Sequence, residues 1–215
     1  MVTNITNFAA TKDTPYFITV YDVPNSVVDY AAICEDDLDA NFITVSGVDF
    51  VDLMTQAGVV SGTVLTYDNF ESGWGNYTDG GGDCSRYTYG TRAYKDSCAI
   101  NIQDNSGTSS SFYHTTGIDV NTPGYEEIRV SFAFYAYSME TGEDFWVEYY
   151  DGSDWNTVAT YVSGTDFSNK TFYTKTVTID SDSYNFPTDM KIRFQCSASA
   201  NYDDVYIDDI TVIGE

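Results

Sequence analysis

Positive charge is what this sequence has least of. Lys and Arg together number 9 against 33 Asp and Glu, a formal charge of −24 over 215 residues. A chain so acidic has no basic patch with which to hold a phosphate backbone or an anionic membrane, so nucleic acid and membrane headgroups are excluded as partners. Histidine occurs once, as His114. Zinc sites built on paired histidines are therefore absent, as are H-E-x-x-H and Cys-x-x-Cys. No apolar run approaches the roughly 20 residues of a membrane-spanning helix. Helical apolar periodicity is also scarce; its best example, "VDFVDLMTQAG" at 48–58, is short. There is no nucleophile elbow, Walker motif or dinucleotide fingerprint, and the glycine-rich "GWGNYTDGGGD" is acidic and repels phosphate. Carboxylate pairs abound, but in so acidic a chain they do not discriminate a glycosidase. The chain is expected not to be an enzyme, and His114 to be structural.

What is present is strand material. There are 19 Tyr and 13 Phe, with many Val, Ile and Thr, all at home on a pleated surface. An apolar fraction of 42% is enough for a packed core. From residue 63 onward, strand signals fall near 63–70, 86–89, 97–103, 110–116, 126–137, 144–150, 156–161, 172–179, 190–197 and 204–213. Gly, Asn, Asp and Ser separate them, and "YDGSDW" at 150–155 reads as a tight hairpin. Such a series predicts an all-β antiparallel sandwich over 63–215. Residues 1–62 offer "PYFITVYDV", "SVVDYAAI" and "NFITVSGVDFVDLM". About 60 residues is marginal for an independent core. The segment reads as a β-rich extension, a partial second module, or a strand donor to a neighbouring chain.

Alternation assigns faces. Val130, Phe132, Phe134 and Ala136 share one side of their strand; Phe145, Val147 and Tyr149 share one side of theirs. Tyr173, Val177 and Ile179 form a third apolar set, and Ile192, Phe194 and Cys196 a fourth. These sets predict the core. The residues opposite them, Tyr135, Tyr137, Trp146, Glu148, Arg193 and Gln195, are expected to form one polar-aromatic face. Rings stack on sugar C–H faces while polar groups bond hydroxyls, so this face is the candidate ligand site. Its alternative role is to pack under residues 1–62.

The start, "MVTNITNFAATKD", has neither a basic n-region nor an apolar core and is not a signal peptide. Yet there are four cysteines and three sequons, at Asn4, Asn76 and Asn169. The expectation is an excised piece of a secreted or cell-surface protein. In that setting Cys84 and Cys98 form a natural disulfide across a loop of about 15 residues, worth roughly 3 kcal/mol. Cys196 falls on the core face, as a buried thiol or as the partner of Cys34.

"DNFESGWGNYTDGGGDC", "SCAINIQDNS", "YAYSMETGEDFWVEYYDGSDW", "GTDFSNKTFY" and "IRFQCSASANYDDVYIDDI" occur in this order. Together, over about 64–213, they resemble the MAM-like and carbohydrate-binding-module-like jelly rolls of secreted, often marine, extracellular proteins. The resemblance implies a jelly-roll sandwich and an extracellular setting; with the polar-aromatic face and the lack of catalytic motifs, the expectation is a non-catalytic binding or adhesion role. Its partners would be an extracellular glycan or protein surface, or further copies in an assembly. It also implies a structural Ca²⁺, because in similar folds acids of the adjacent first and last strands hold that ion. Asp208 has the parity of Ile210 and Val212 and is expected to point inward. With Asp68, Glu71 and a backbone carbonyl near Lys95 it would make a hard oxygen cluster. On the residues alone, these acids also read as solvated strand ends. A second acidic group, Glu140, Glu143, Asp144, Asp203 and Asp204, reads as a solvated loop.

Overall fold

A computed structural model describes residues 62–215 throughout and three strands of the preceding segment. Those strands are β1 (Phe17–Val23), β2 (Val27–Ile33) and β3 (Asn41–Ser46), an antiparallel sheet in the order β1-β2-β3. β1 pairs with β2 along its whole length, from Phe17 opposite Ile33 to Val23 opposite Val27. The strand expected as a donor to another chain is thus hydrogen-bonded within its own. The 48–58 helix candidate, Asn4 and Cys34 lie outside the described residues. The chain divides into two compact units, Met1–Ser61 and Gly62–Glu215.

The second unit is a sandwich of two antiparallel sheets. Its strands are β4 (Thr63–Asp68), β5 (Tyr77–Asp79), β6 (Cys84–Tyr87), β7 (Ala99–Gln103), β8 (Ser111–His114) and β9 (Glu127–Tyr137). They continue as β10 (Asp144–Tyr150), β11 (Trp155–Val162), β12 (Phe172–Asp180), β13 (Lys191–Ser197) and β14 (Asp204–Gly214). One sheet has five strands in the order β11-β10-β13-β8-β5. The other has six, β12-β9-β14-β7-β6, with β4 beside β14. The chain crosses repeatedly between them, as a jelly roll requires. The described residues contain no α-helix, only a 3₁₀ turn at Gly107–Ser110. The sequence-derived strands coincide with these apart from their ends; β5, buried in the glycine-rich stretch, is the one missed.

The hairpin at 150–155 closes as its composition demands. Tyr150 faces Trp155. Asp151 Oδ1 accepts the Ser153 and Asp154 N–H groups, each at 2.9 Å. Gly152 takes φ +93°, a conformation that costs other residues strain. The four apolar sets predicted by alternation all face the space between the sheets. Phe112 stacks on Phe194 at 5.2 Å, and Phe134 meets Phe145 edge-on at 4.9 Å. Ile100, Ile128, Ile192, Val205 and Ile207 are fully buried around them.

One irregularity decides where the acids go. Asp208 pairs with Ala133, but Thr211 pairs with Ser131. β14 therefore spends three steps where β9 spends two, which is a β-bulge, and Asp209 sits at φ +49°. The bulge reverses the alternation. Asp204, Tyr206 and Asp208 point to the outer face of the six-stranded sheet, while Ile210 and Val212 point to the core.

A candidate glycan-binding face on the five-stranded sheet

Each sheet has its own outer face, and the six residues expected on one face are divided between them. Tyr135 and Tyr137, on β9, belong to the six-stranded sheet. Trp146 and Glu148 on β10, with Arg193 and Gln195 on β13, belong to the five-stranded sheet. Alternation reports the side of a strand and is silent on which sheet that strand joins.

On the five-stranded sheet Glu148 lies directly opposite Arg193. Arg193 donates from Nε to Glu148 Oε2 at 2.6 Å and from Nη2 to Oε1 at 2.8 Å. This is a bidentate, charge-assisted pair, with side chains only 14% and 8% exposed. The guanidinium carbon lies 4.2 Å from the centre of the Trp155 ring, so one face of the ion pair is roofed by an indole. Tyr150 packs against Trp155 at 5.4 Å and Tyr113 approaches it at 6.3 Å. Tyr113, Tyr150, Trp155 and Arg193, with Lys191, Asp189 and Thr108, line an open hollow of about 390 Å³, and Glu148 lies behind Arg193 as its ion partner. Its charges balance locally, two cations against two carboxylates, on a molecule that is otherwise strongly acidic. Trp146 and Gln195 face each other one pair further along the same sheet face, outside the hollow. Trp155, Tyr113 and Lys191 were not singled out in the sequence. Trp155 was hidden by its place at a turn; the hairpin register Tyr150–Trp155 is the signal that could have found it.

Tyr135 and Tyr137 are covered on their own face, by the segment 88–97. Arg92 lies 3.9 Å from the Tyr137 ring centre and reaches Asp204 at 3.2 Å. It also donates to the Tyr206 hydroxyl. Ala93, Ala99 and Tyr206 form a small second core there, with Tyr87, Tyr135 and Tyr137 around it.

The acids proposed as calcium ligands are placed by the bulge on two sides of one sheet. Asp68 pairs with Ile210 and points inward, where Oδ1 accepts the Asn76 backbone N–H at 2.7 Å and the Asn76 amide binds both its oxygens. Asp208 points outward, against the expectation. Its Oδ2 accepts from Tyr94 N at 2.8 Å and Lys95 N at 3.2 Å, and its Oδ1 from Asp209 N at 2.7 Å. Burial pushes its carboxyl up to about 6. Glu71 Oε1 accepts from Ser97 N and Cys98 N at 3.1 and 2.6 Å. The Lys95 ammonium pairs with Asp209 at 2.7 Å. Among the described residues no point gathers three or more acidic, His or Cys side chains. As placed, this donor set does not fit one shared cation. Glu71, just beyond β4, and Asp208 on β14 anchor segment 94–98 by accepting from its peptide N–H groups.

In the same corner Cys84 and Cys98 are free, buried thiols, as is Cys196. The expected Cys84–Cys98 bond is not formed, and the β6–β7 register explains why. Cys84 faces Ile102, so Cys98 lies four residues away along β7, about 13 Å at strand rise. A disulfide requires Cα atoms within about 7 Å. His114 is buried in the core, its Nδ1 accepting Ile192 N at 3.1 Å and its ring 4.3 Å from that of Tyr77. Burial, then the nearby Lys191, lowers its pKa to about 3, so it is a neutral packing residue at physiological pH. The Asn76 and Asn169 amides are both engaged, Asn169 holding Met139 by two hydrogen bonds.

No protein-family model matches the sequence, and neither does any curated protein. Solved structures do match. The CBM22-1 xylan-binding domain of Paenibacillus barcinonensis Xyn10C superposes with a TM-score of 0.51 at 11% identity, covering 71% of this chain and 95% of that one. The C-terminal family 22 carbohydrate-binding module of Clostridium thermocellum Xyn10B gives 0.52 at 15%, covering 72% and 96%. A further CBM22 xylan-binding domain, formerly called x6b, gives 0.52 at 16%, again covering 72% and 96%. The likeness is one of fold. It represents the carbohydrate-binding half of the resemblance seen in the sequence rather than the MAM half.

Proposed function

We propose that this protein is a non-catalytic, extracellular glycan-binding module, and that the hollow on the five-stranded sheet receives the sugar. The observation that carries the reading is the Arg193–Glu148 pair fixed beneath Trp155, with Tyr113 and Tyr150 alongside. Rings supply flat apolar contact to sugar C–H faces. Arg193, Lys191 and Asp189 supply donors and acceptors for hydroxyls, the placed polar groups that fix a ligand's orientation beside its apolar contacts. The pair is pre-organised by the sheet register, so binding orders few side chains. Local charge balance favours a neutral polysaccharide over a uronate or sulfate. The solved structures of like fold include domains described as xylan-binding, which makes xylan the first glycan to try.

The test is retention of the full chain in affinity gels containing xylan, β-glucan or galactan, beside a gel without polysaccharide. The parent is expected to be retarded by at least one neutral polysaccharide, and Trp155→Ala to be retarded clearly less than the parent at an unchanged melting temperature. Retardation of Trp155→Ala equal to the parent's would remove the hollow from the binding site.

A further inference from the structure

Two aromatic side chains on the other outer face remain about two-fifths exposed although one of them, Phe172, packs on Tyr135 with ring centres 4.9 Å apart. Tyr87, Tyr135, Tyr137 and Tyr206 are held under segment 88–97. Tyr94 and Phe172 sit at its margin, 41% and 39% exposed, with ring centres 5.8 Å apart and edge-to-face. Phe172 begins β12, an edge strand whose next outward residues are Thr174, Thr176 and Thr178. Position 172 is the one place on that row where an apolar ring replaces a hydroxyl. Beside the pair is a cleft of about 250 Å³ lined by Tyr94, Ser131, Ala133, Thr174, Thr176 and Asp209, among others. Ser131 and Thr176 share a hydrogen bond of 2.9 Å across its floor. Asp209 is neutralised by Lys95.

We infer that this cleft is a second, smaller glycan contact, placed on the opposite side of the sandwich from the hollow. It rests on the glycan reading given above. The occupant follows from the lining: the exposed Tyr94 ring with Phe172 beside it, a floor of hydroxyls, and a single carboxylate, Asp209, already paired with Lys95, with Lys175 also on the lining. A neutral polyhydroxylated ligand matches all three. A protein partner would meet Ser131, Ala133, Lys175 and Asp209, residue types depleted from the cores of protein interfaces. Two contacts facing away from each other let one molecule hold two polysaccharide chains. The second contact then acts by multivalency rather than by high affinity of its own.

The experiment compares four full-length proteins in the same affinity gels: parent, Trp155→Ala, Tyr94→Ala/Phe172→Ala, and the triple variant, each with its melting temperature. The inference expects residual retardation in Trp155→Ala that disappears in the triple variant. It also expects the parent to cross-link soluble polysaccharide into a turbid suspension, and both partial variants to fail to do so. Tyr94→Trp, which keeps a stacking ring, should restore retention when built on Tyr94→Ala/Phe172→Ala. Complete loss of retardation in Trp155→Ala overturns the second contact and leaves the first standing. Loss in Tyr94→Ala/Phe172→Ala with none in Trp155→Ala overturns the first and leaves the second. A lower melting temperature in Tyr94→Ala/Phe172→Ala with the parent's retention and turbidity makes the cleft a packing surface and overturns the inference.

Discussion

Two buried titrating residues act in opposite senses on stability. Asp208 is raised to about 6 in the folded state by burial, above the roughly 3.9 of an unfolded aspartate. Folding therefore favours its protonated form. Its contribution is full below about pH 4 and is lost as pH rises through 6. His114, lowered to about 3 by burial, contributes fully above its unfolded value of about 6.5 and loses that contribution as pH falls. Asp208→Asn should accordingly lose ground to the parent as pH drops from neutral toward about 4, by up to about 3 kcal/mol. Thermal unfolding across that range checks it. A gap independent of pH contradicts the assignment. So does a rise in the parent's melting temperature with millimolar calcium that Asp208→Asn lacks, which would make the carboxylate a metal ligand rather than an acceptor of peptide N–H groups.

Gly75 is a second residue-scale case. It takes φ +58°, and a Cβ built on it would stand 1.8 Å from Asp68 Oδ1. Gly75→Ala should destabilise by about 2 kcal/mol or more, through strain and through displacement of the Asp68–Asn76 bonds. Denaturant unfolding at neutral pH reads it directly; a change below about 0.5 kcal/mol would mean that the turn has another conformation.

Among the elements, the segment between β6 and β7 depends most on side-chain anchors. Arg86 donates to Phe70 O and Glu71 O, both at 2.7 Å, and reaches Cys98 Sγ at 3.0 Å. Glu71 and Asp208 then hold the 94–98 peptide groups. These bonds join the first strand's exit to the loop over the six-stranded sheet, and no continuous strand pairing does so. Arg86→Ala should cost about 2–3 kcal/mol, since it removes two charge-assisted hydrogen bonds and the guanidinium donor from Glu71 O. Hydrogen exchange should rise at Tyr94, Lys95, Ser97 and Cys98 before it rises in β9 or β13. Uniform acceleration throughout the sandwich would show that the segment is not a separate anchor. The bulge in β14 belongs to this scale too, because it lets Asp208 stay on the outer face with Asp204 and Tyr206 while Ile210 and Val212 turn to the core.

For the molecule as a whole, the sandwich was legible because β9, β10, β12 and β13 alternate cleanly and because turn residues separate the strands. That Glu148 and Arg193 share one outer face was legible for the same reason. The grouping of Tyr135 and Tyr137 with them was not recoverable, since strand parity does not say which sheet a strand enters. Asp208 was misdirected by a single inserted residue, which inverts parity without any signature in composition. Cys84 and Cys98 looked paired by loop length, but the hairpin register, invisible in one sequence, sets them too far apart. Trp155 closes the 150–155 hairpin, where strand alternation gives it no face until the pairing with Tyr150 is known.

The central claim is that the hollow on the five-stranded sheet binds glycan through Trp155 and the Arg193–Glu148 pair. Isothermal titration of the full chain with the oligosaccharide of the best-retained polysaccharide tests it most directly, repeated with Trp155→Ala and Arg193→Ala. Saturable binding by the parent, weakened at least about tenfold in Trp155→Ala, or about 1.4 kcal/mol, is the result predicted, with Arg193→Ala weakened as well. Equal affinity in all three proteins, or no heat from any neutral oligosaccharide with the folded parent, would contradict it.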